Sequence, residues 1–245
     1  MKLLLVGIGT GNPEHLTLQA VRALNAADLI MIPRKGPDKA DLADLRRAIC
    51  IEVVTNPATR VVHFDLPTRD PSAAYLDGVE AWHAAIAGVW TETMAAHAGP
   101  SATVALLVWG DPSLFDSTLR IAARLQPAPE ISVIPGITAI QALTAAHAMP
   151  LNQLASPFTV TTGRQLSASG WPAGVDTLVV MLDGACAFQT LDPQGVSIWW
   201  GAYLGMPDEI IRAGPLGEMG PVIAADRSAA RTRHGWIMDV YILRR

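Results

Sequence analysis

The chain has 245 residues, half of them apolar, enough for one large domain or two smaller ones with a sizeable core. Only 16% are charged and the net charge is −4, which argues against a nucleic-acid binder working through a basic stripe and leaves room for a small anionic substrate met by a few arginines. Cys50 and Cys186 stand far apart without metal-ligand spacing, residues 1–6 are too short for a secretory signal, and no run could span a bilayer; a soluble cytoplasmic protein with reduced cysteines is expected, with no metal, nucleic-acid or membrane partner.

Residues 3–8 are a continuous apolar run, the pattern of a parallel strand buried on both faces. The loop Gly7-Ile8-Gly9-Thr10-Gly11-Asn12-Pro13 follows, and Leu16, Ala20, Ala23 and Leu24 then repeat at helical spacing, with Thr17 a suitable N-cap. A second strand over 28–33 ends at the basic pair Arg34-Lys35. A helix over 40–54 carries Leu42, Leu45, Ile49 and Val53 on one side, and a third strand over 60–64 ends at Asp65. A long alanine-rich helix over 73–97 precedes a fourth strand over 103–108, which stops at Trp109-Gly110-Asp111-Pro112-Ser113-Leu114-Phe115. Gly110 allows close backbone approach to a ligand, Asp111 is turned from helix by the proline after it, and Pro112 stiffens the loop. Alternating strands and helices predict a mainly parallel sheet with helices on both faces and ligands beyond the strands' carboxyl ends. That rule puts the first glycine loop, Arg34, Asp65 and the 109–115 loop on one rim.

A short helix over 117–125 runs into Gln126-Pro127-Ala128-Pro129, where the domain junction is placed, giving α/β domains of residues 1–125 and 126–245. The second half opens with a strand over 131–134, the loop Pro135-Gly136-Ile137-Thr138-Ala139 and a helix to residue 147 with Thr138 as its N-cap. Strands are predicted over 158–162, 177–182, 197–203, 208–213 and 236–243. Several are joined by short turns, so this sheet should be mixed and partly antiparallel.

The first loop partly matches a dinucleotide fingerprint. Its third glycine position is Asn12, however, and the acid about 20 residues on, Asp28, opens the second strand instead of closing it, where a ribose would lie. Arg34 and Lys35 suit at most a 2′-phosphate, so an NADP-dependent oxidoreductase stays as the alternative from another class.

Three loops in one order carry a more specific pattern: Gly7 to Gly11 followed by Leu16-Thr17 and Ala27-Asp28; Gly110-Asp111-Pro112 with Phe115; and Pro135-Gly136-Ile137-Thr138-Ala139 with Pro150-Leu151. Together they resemble the tetrapyrrole (corrin and porphyrin) methylases. Asn12 stands where many members have aspartate, Trp109 where many have glycine, and Leu182 where many have methionine. The resemblance implies two α/β domains with a cleft between them, the first sheet mainly parallel and the second mixed, in a homodimer. It also implies S-adenosyl-L-methionine as methyl donor and S-adenosyl-L-homocysteine as product.

By the same resemblance the cofactor is held by Trp109, Gly110, Asp111 and Leu114, by Thr138 and Ala139, and by Leu182. A sulfonium with an adenosine and an amino-acid head asks for backbone groups and small residues more than for a phosphate cradle. A polycarboxylate tetrapyrrole would face Gly9, Thr10 and Gly11, whose following helix start favours anions, and the cations Arg34, Lys35 and Arg164, with Arg69 and Arg120 as further candidates. Residues 31–35, 108–112, 161–164 and 234–241 are most similar to members that methylate a corrin precursor with loss of an acetyl group. That likeness implies attack of water on an acetyl ketone, release of acetate, and methylation of the ring carbon. Asp65 and Asp111 are the candidate catalytic bases, with His63 beside them, while His63 and His147 read more readily as structural histidines. Two further readings are a relative of this fold acting on ribosomal RNA or a protein histidine, and a non-catalytic tetrapyrrole-binding module.

Overall fold

The apolar run at the start is strand β1 (Lys2–Gly7), and it has a parallel partner on each side, β4 (Thr103–Val108) and β5 (Glu130–Ile134). With β2 (Leu29–Arg34) and β3 (Arg60–Asp65) these make a parallel sheet in the order β3-β2-β4-β1-β5. The computed structural model describes residues 1–34, 40–70, 72 and 74–245 and divides into two units, Met1–Thr138 and Ala139–Arg245.

Side chains alternate across the first sheet, as a strand's period of two requires. Leu3, Leu5, Met31, Leu106 and Val108 pack under helices α3 (Tyr75–His97) and α4 (Thr118–Ala122). Leu4, Val6, Ile30, Ile32 and Leu107 pack under α1 (Leu18–Ala26) and α2 (Ala40–Val53). Each such buried aliphatic contributes about 1.5–3 kcal/mol over the exposed side chain, so the runs read as strands because both faces are covered. Thr17 caps α1 as expected, its hydroxyl accepting from the Ala20 N–H at 3.0 Å.

Strands β1 and β4 are neighbours, yet the chain leaves β1 for α1 on one face and β4 for α4 on the other. This divergence opens a crevice at their carboxyl ends, the usual ligand site of such sheets.

The expected junction at residue 126 falls ahead of β5, which pairs with β1 and so belongs to the first unit. As a sheet-edge strand with Ile131 and Val133 exposed, β5 looks in sequence like the start of something new after a proline-rich break.

In the second unit β6 (Thr159–Thr162), β7 (Thr177–Met181), β10 (Asp239–Arg244), β8 (Ser197–Ala202) and β9 (Ile210–Pro215) follow in that order. Only β6 and β7 pair in parallel, so the sheet is mixed as predicted. Helix α5 (Ala139–Ala146) matches the expected helix, while α6 (Gly163–Ser169) and α7 (Leu216–His234) have no counterpart in the predicted elements. The inward stripe of α7 is Leu216, Gly220, Ile223, Arg227 and Ala230; a glycine and an arginine on it hide the apolar period, and Pro221 reads as a breaker. Among the described residues no helix is long and apolar enough to cross a membrane.

Candidate active site

The loops after β1, β4 and β5 meet through their backbones. Gly110 N–H donates to Gly9 O at 2.7 Å and Gly9 N–H to Gly110 O at 3.4 Å, an isolated antiparallel bridge between two loops. Both residues have positive φ, +71° at Gly9 and +61° at Gly110, which costs an L-residue about 1–2 kcal/mol and glycine almost nothing. Gly136 brings in the third loop. A Cβ on Gly7 would lie 2.6 Å from Gly136 N and 2.8 Å from Gly110 O, and one on Gly136 would overlap Gly110 O. Thr138 closes the cluster, its Cα 3.5 Å from where a Cβ of Gly110 would stand.

Asp111 ties the loops together. Its Oδ1 accepts from Ser113 N at 2.8 Å and Ser113 Oγ at 2.5 Å, and its Oδ2 accepts from Gly136 N at 2.9 Å. Burial works against the carboxylate, but the hydrogen bonds from Ser113 and Gly136 together outweigh it and hold Asp111 below the usual carboxylate range. A depressed pKa makes Asp111 a weak general base. It also means that the stability from these bonds is present above the ordinary carboxylate value and is lost as pH falls through the lowered one. The melting temperature of the protein is therefore expected to drop on acidification below about pH 4, and Asp111→Asn should flatten that limb while lowering the plateau at neutral pH. An unchanged acid limb in the variant would remove Asp111 from this role.

On the same edge, Arg34 grips Asp65 with both prongs, Nε to Oδ1 at 2.9 Å and Nη2 to Oδ2 at 3.0 Å, at opposed positions of β2 and β3. Both side chains are exposed, so the pair adds about 0–1 kcal/mol, and its interest is chemical. Lys35, the expected neighbour, lies outside the described residues.

The β1 loop does not run directly into α1. Asn12 Oδ1 accepts from Glu14 N at 2.9 Å and starts a separate turn at Pro13–His15, and only then does Thr17 cap the helix. The expected anion-favouring helix start is thus detached from Gly9, Thr10 and Gly11, and what Thr10 does reach is His15, its Oγ1 3.2 Å from Nδ1. Trp109 also differs in detail from the expectation. Its indole packs on the core beneath α2 with the Arg46 guanidinium 4.7 Å over its ring, so toward the loop crevice it presents backbone.

Ala139, Arg164 and Leu182 belong to the second unit. Ala139 begins α5 next to Thr138, and Arg164 is exposed on the first turn of α6. Leu182 is 66% exposed at φ +53°, an uncommon conformation for leucine, just after β7. A buried network sits under it. Asp183 accepts from Ala185 N, Ala187 N and the Tyr241 hydroxyl, while Arg227 donates to Asp183 O at 2.5 Å and to Asp239 Oδ2 at 2.9 Å. Gly163 leaves room for Asp183, since a Cβ there would overlap its carboxyl. His147 is structural, with Nε2 3.1 Å from Trp200 O. The network was not foreseen in the sequence. Its signal was Arg227 on the inward stripe of α7, legible only once α7 is known to be a helix.

Residues 2–220 match the family Tetrapyrrole (Corrin/Porphyrin) Methylases. The chain is 48% identical to a precorrin-6A synthase (deacetylating) of Sinorhizobium sp, over 100% of its own length and 95% of the relative's. It is 31% identical to a precorrin-2 C(20)-methyltransferase of the same source over 68% of this chain and 66% of that one. A crystal structure of a cobalamin synthesis related protein (CobF) from Corynebacterium diphtheriae superimposes with a TM-score of 0.84 at 38% identity, covering 100% and 98% of the two chains. A uroporphyrin-III C-methyltransferase from Thermus thermophilus complexed with S-adenyl homocysteine shares the fold, with a TM-score of 0.61 at 21% identity over 99% and 92%.

Proposed function

The chain belongs to the tetrapyrrole (corrin/porphyrin) methylases, and from that premise we propose that it is a precorrin-6A synthase (deacetylating), an S-adenosylmethionine-dependent C-methyltransferase of cobalamin biosynthesis that converts precorrin-5 to precorrin-6A with methylation at C-1 and release of acetate. The observation that carries this reading is the crossing of three strand-end loops at Gly7, Gly9, Gly110 and Gly136, in a chain similar over its whole length to such a synthase.

The loop residues suit S-adenosylmethionine. The crevice presents backbone with no phosphate cradle, and a carboxylate of about four acceptor sites uses three on Ser113 and Gly136, so Asp111 keeps one for a ribose hydroxyl or an ammonium group. Trp109 by its backbone, with Gly110, Asp111, Leu114 and Thr138, forms the seat on the first unit. When bound, the cofactor supplies an electrophilic methyl group. The protein's part is to hold donor and ring carbon in line, and such positioning is worth up to about 7–11 kcal/mol of barrier.

Arg34 serves the substrate. A guanidinium already clamping a carboxylate in bidentate fashion is shaped for another, and exchanging Asp65 for a substrate carboxylate leaves Asp65 free as an acceptor beside the ring. Asp65 is then the better of the two candidate bases for the acyl cleavage, because Asp111 remains bound to its own loop. Arg34→Ala should weaken tetrapyrrole binding roughly tenfold or more and leave S-adenosylhomocysteine binding unchanged by calorimetry. Equal loss of both would contradict the assignment. A homodimer in the cytoplasm completes the reading, in keeping with two unpaired cysteines.

Incubation with precorrin-5 and S-adenosylmethionine, followed by mass analysis, tests the whole. A product that has gained one methyl and lost one acetyl group is expected. A product methylated with its acetyl group retained would reassign the substrate within the family.

A further inference from the structure

Behind the loop that follows β4 stands a cation that the proposed reaction does not use. Helix α2 turns Ala43, Ile49 and Cys50 inward, all buried, and Arg46 lies on the same stripe, where an apolar side chain is the ordinary choice. It meets the sheet where β2 and β4 part. Their ladder runs only from Leu29 opposite Val104 to Met31 opposite Leu106, and Pro33 brings no N–H with which to continue it. Arg46 fills in for the missing strand contact, its Nε donating to Leu107 O at 3.2 Å and its Nη1 to Leu42 O at 3.2 Å.

Completing a strand edge takes donors but no charge, and the charge has partners of its own. The guanidinium stands 4.7 Å over the Trp109 ring. The indole N–H is buried and meets no acceptor among the described residues, so the stacked cation, and no hydrogen bond to the ring, fixes the indole there. Asp116 attracts the guanidinium from the other end of the same loop, against a burial that pushes Arg46 down to about 10. Asp116 is itself set in place, its Oδ1 accepting from Thr118 N at 2.6 Å where α4 begins. Between these ends Gly110 and Phe115 both have positive φ, +61° and +50°. Glycine adopts that conformation freely, but in phenylalanine it persists only where the surroundings impose it.

A cation on the inward stripe of a helix gives up hydration, so its partners must make good the loss. Leu107 O and the Trp109 ring lie at the start of the 109–115 loop and Asp116 just past its end. One side chain thus answers both ends, and it is anchored on α2, outside the loop. We infer that Arg46 is a positioning residue for the cofactor: it holds the start of the 109–115 loop, attracts its end, and so keeps the backbone of Trp109, Gly110 and Asp111 in the shape that receives S-adenosylmethionine. It acts on the cofactor only through that loop. What the loop receives rests on the proposed function; the hold on the loop does not.

The test is calorimetric titration of the whole chain with S-adenosylhomocysteine, which needs no methyl transfer. Arg46→Met keeps an unbranched side chain but removes its charge and donors, and it should weaken binding by about tenfold. Asp116→Asn keeps an oxygen for Thr118 N, loses the charge, and should weaken binding by about threefold. Because both act on one loop, the double variant should lose less than the product of the two factors. With substrate present, KM for S-adenosylmethionine should rise in Arg46→Met while KM for the tetrapyrrole and kcat at saturating cofactor stay at the parent values. A residue that only completes a strand edge would lower the melting temperature and leave the folded variant's affinity at the parent value, and that result overturns the inference. If Arg46→Met does not fold, Asp116→Asn decides: weakened binding supports the inference and parent-like affinity refutes it. A parent chain that does not bind S-adenosylhomocysteine overturns the reading of the loop as a cofactor seat and this inference with it, whereas a binding parent with equally binding variants overturns this inference alone.

Discussion

Gly136→Ala should lower the unfolding free energy by about 2–3 kcal/mol, a large cost for one methyl group at a partly exposed site. The added Cβ overlaps Gly110 O and stands 2.8 Å from Gly7 C, so every atom it meets is backbone. No side chain can rotate away. One of three loops must move, and the movement loses either the Gly136 N–H bond to Asp111 or the Gly9–Gly110 bridge, each worth about 0.5–1.5 kcal/mol. Gly88→Ala is the matched control. It lies inside α3 with nothing within 4 Å of the new Cβ, and there alanine should stabilise by about 0.5–1 kcal/mol through helix propensity. Denaturant unfolding should show opposite midpoint shifts with similar slopes. Shifts of the same sign and size would mean that the three loops do not pack as described.

The second large effect belongs to Arg227→Met, expected to cost about 3–5 kcal/mol. Arg227 and Asp239 form an ion pair at 2.9 Å with both side chains nearly buried, and Asp239 also accepts from Trp200 Nε1 at 2.9 Å. Burial opposes the Arg227 charge, but the hydrogen bond and charge of Asp239 outweigh it and raise the Arg227 pKa. Methionine would leave a buried carboxylate with one neutral donor. It would also release Asp183 O and Gly184 O, which Arg227 holds under a loop that carries Leu182 and Cys186 at positive φ. Replacing both charges, Arg227→Met with Asp239→Leu, should recover part of the loss, since the orphaned charge is then gone. A single-variant loss under about 1 kcal/mol would show that the pair is not desolvated.

The sequence made the parallel sheet legible because β1, β2 and β4 are buried on both faces and so carry uninterrupted apolar runs. It also showed the three loops, because glycine and proline there answer to backbone geometry that no other residues satisfy, as at Gly9 and Gly110. Edge strand β5 misled on the domain boundary for the converse reason: with one side exposed it lacks the buried signature. Arg46 and Arg47 are adjacent and chemically alike. One turns under the sheet to Leu107 O and the other pairs with Asp44 on the surface, a difference set by where β2 and β4 separate and by nothing local. In sequence Asp111 reads as a candidate base, and in the fold its carboxylate ties two loops together, because its partner Gly136 lies distant in sequence and close only in the fold.

Calorimetric titration with S-adenosylhomocysteine and, separately, NADP tests the central assignment, that these loops hold a sulfonium cofactor's nucleoside and not a dinucleotide. Saturable binding of S-adenosylhomocysteine alone is expected, with about 2.7 kcal/mol of added stability at a hundredfold excess over its dissociation constant. Binding of NADP with no response to S-adenosylhomocysteine would contradict it.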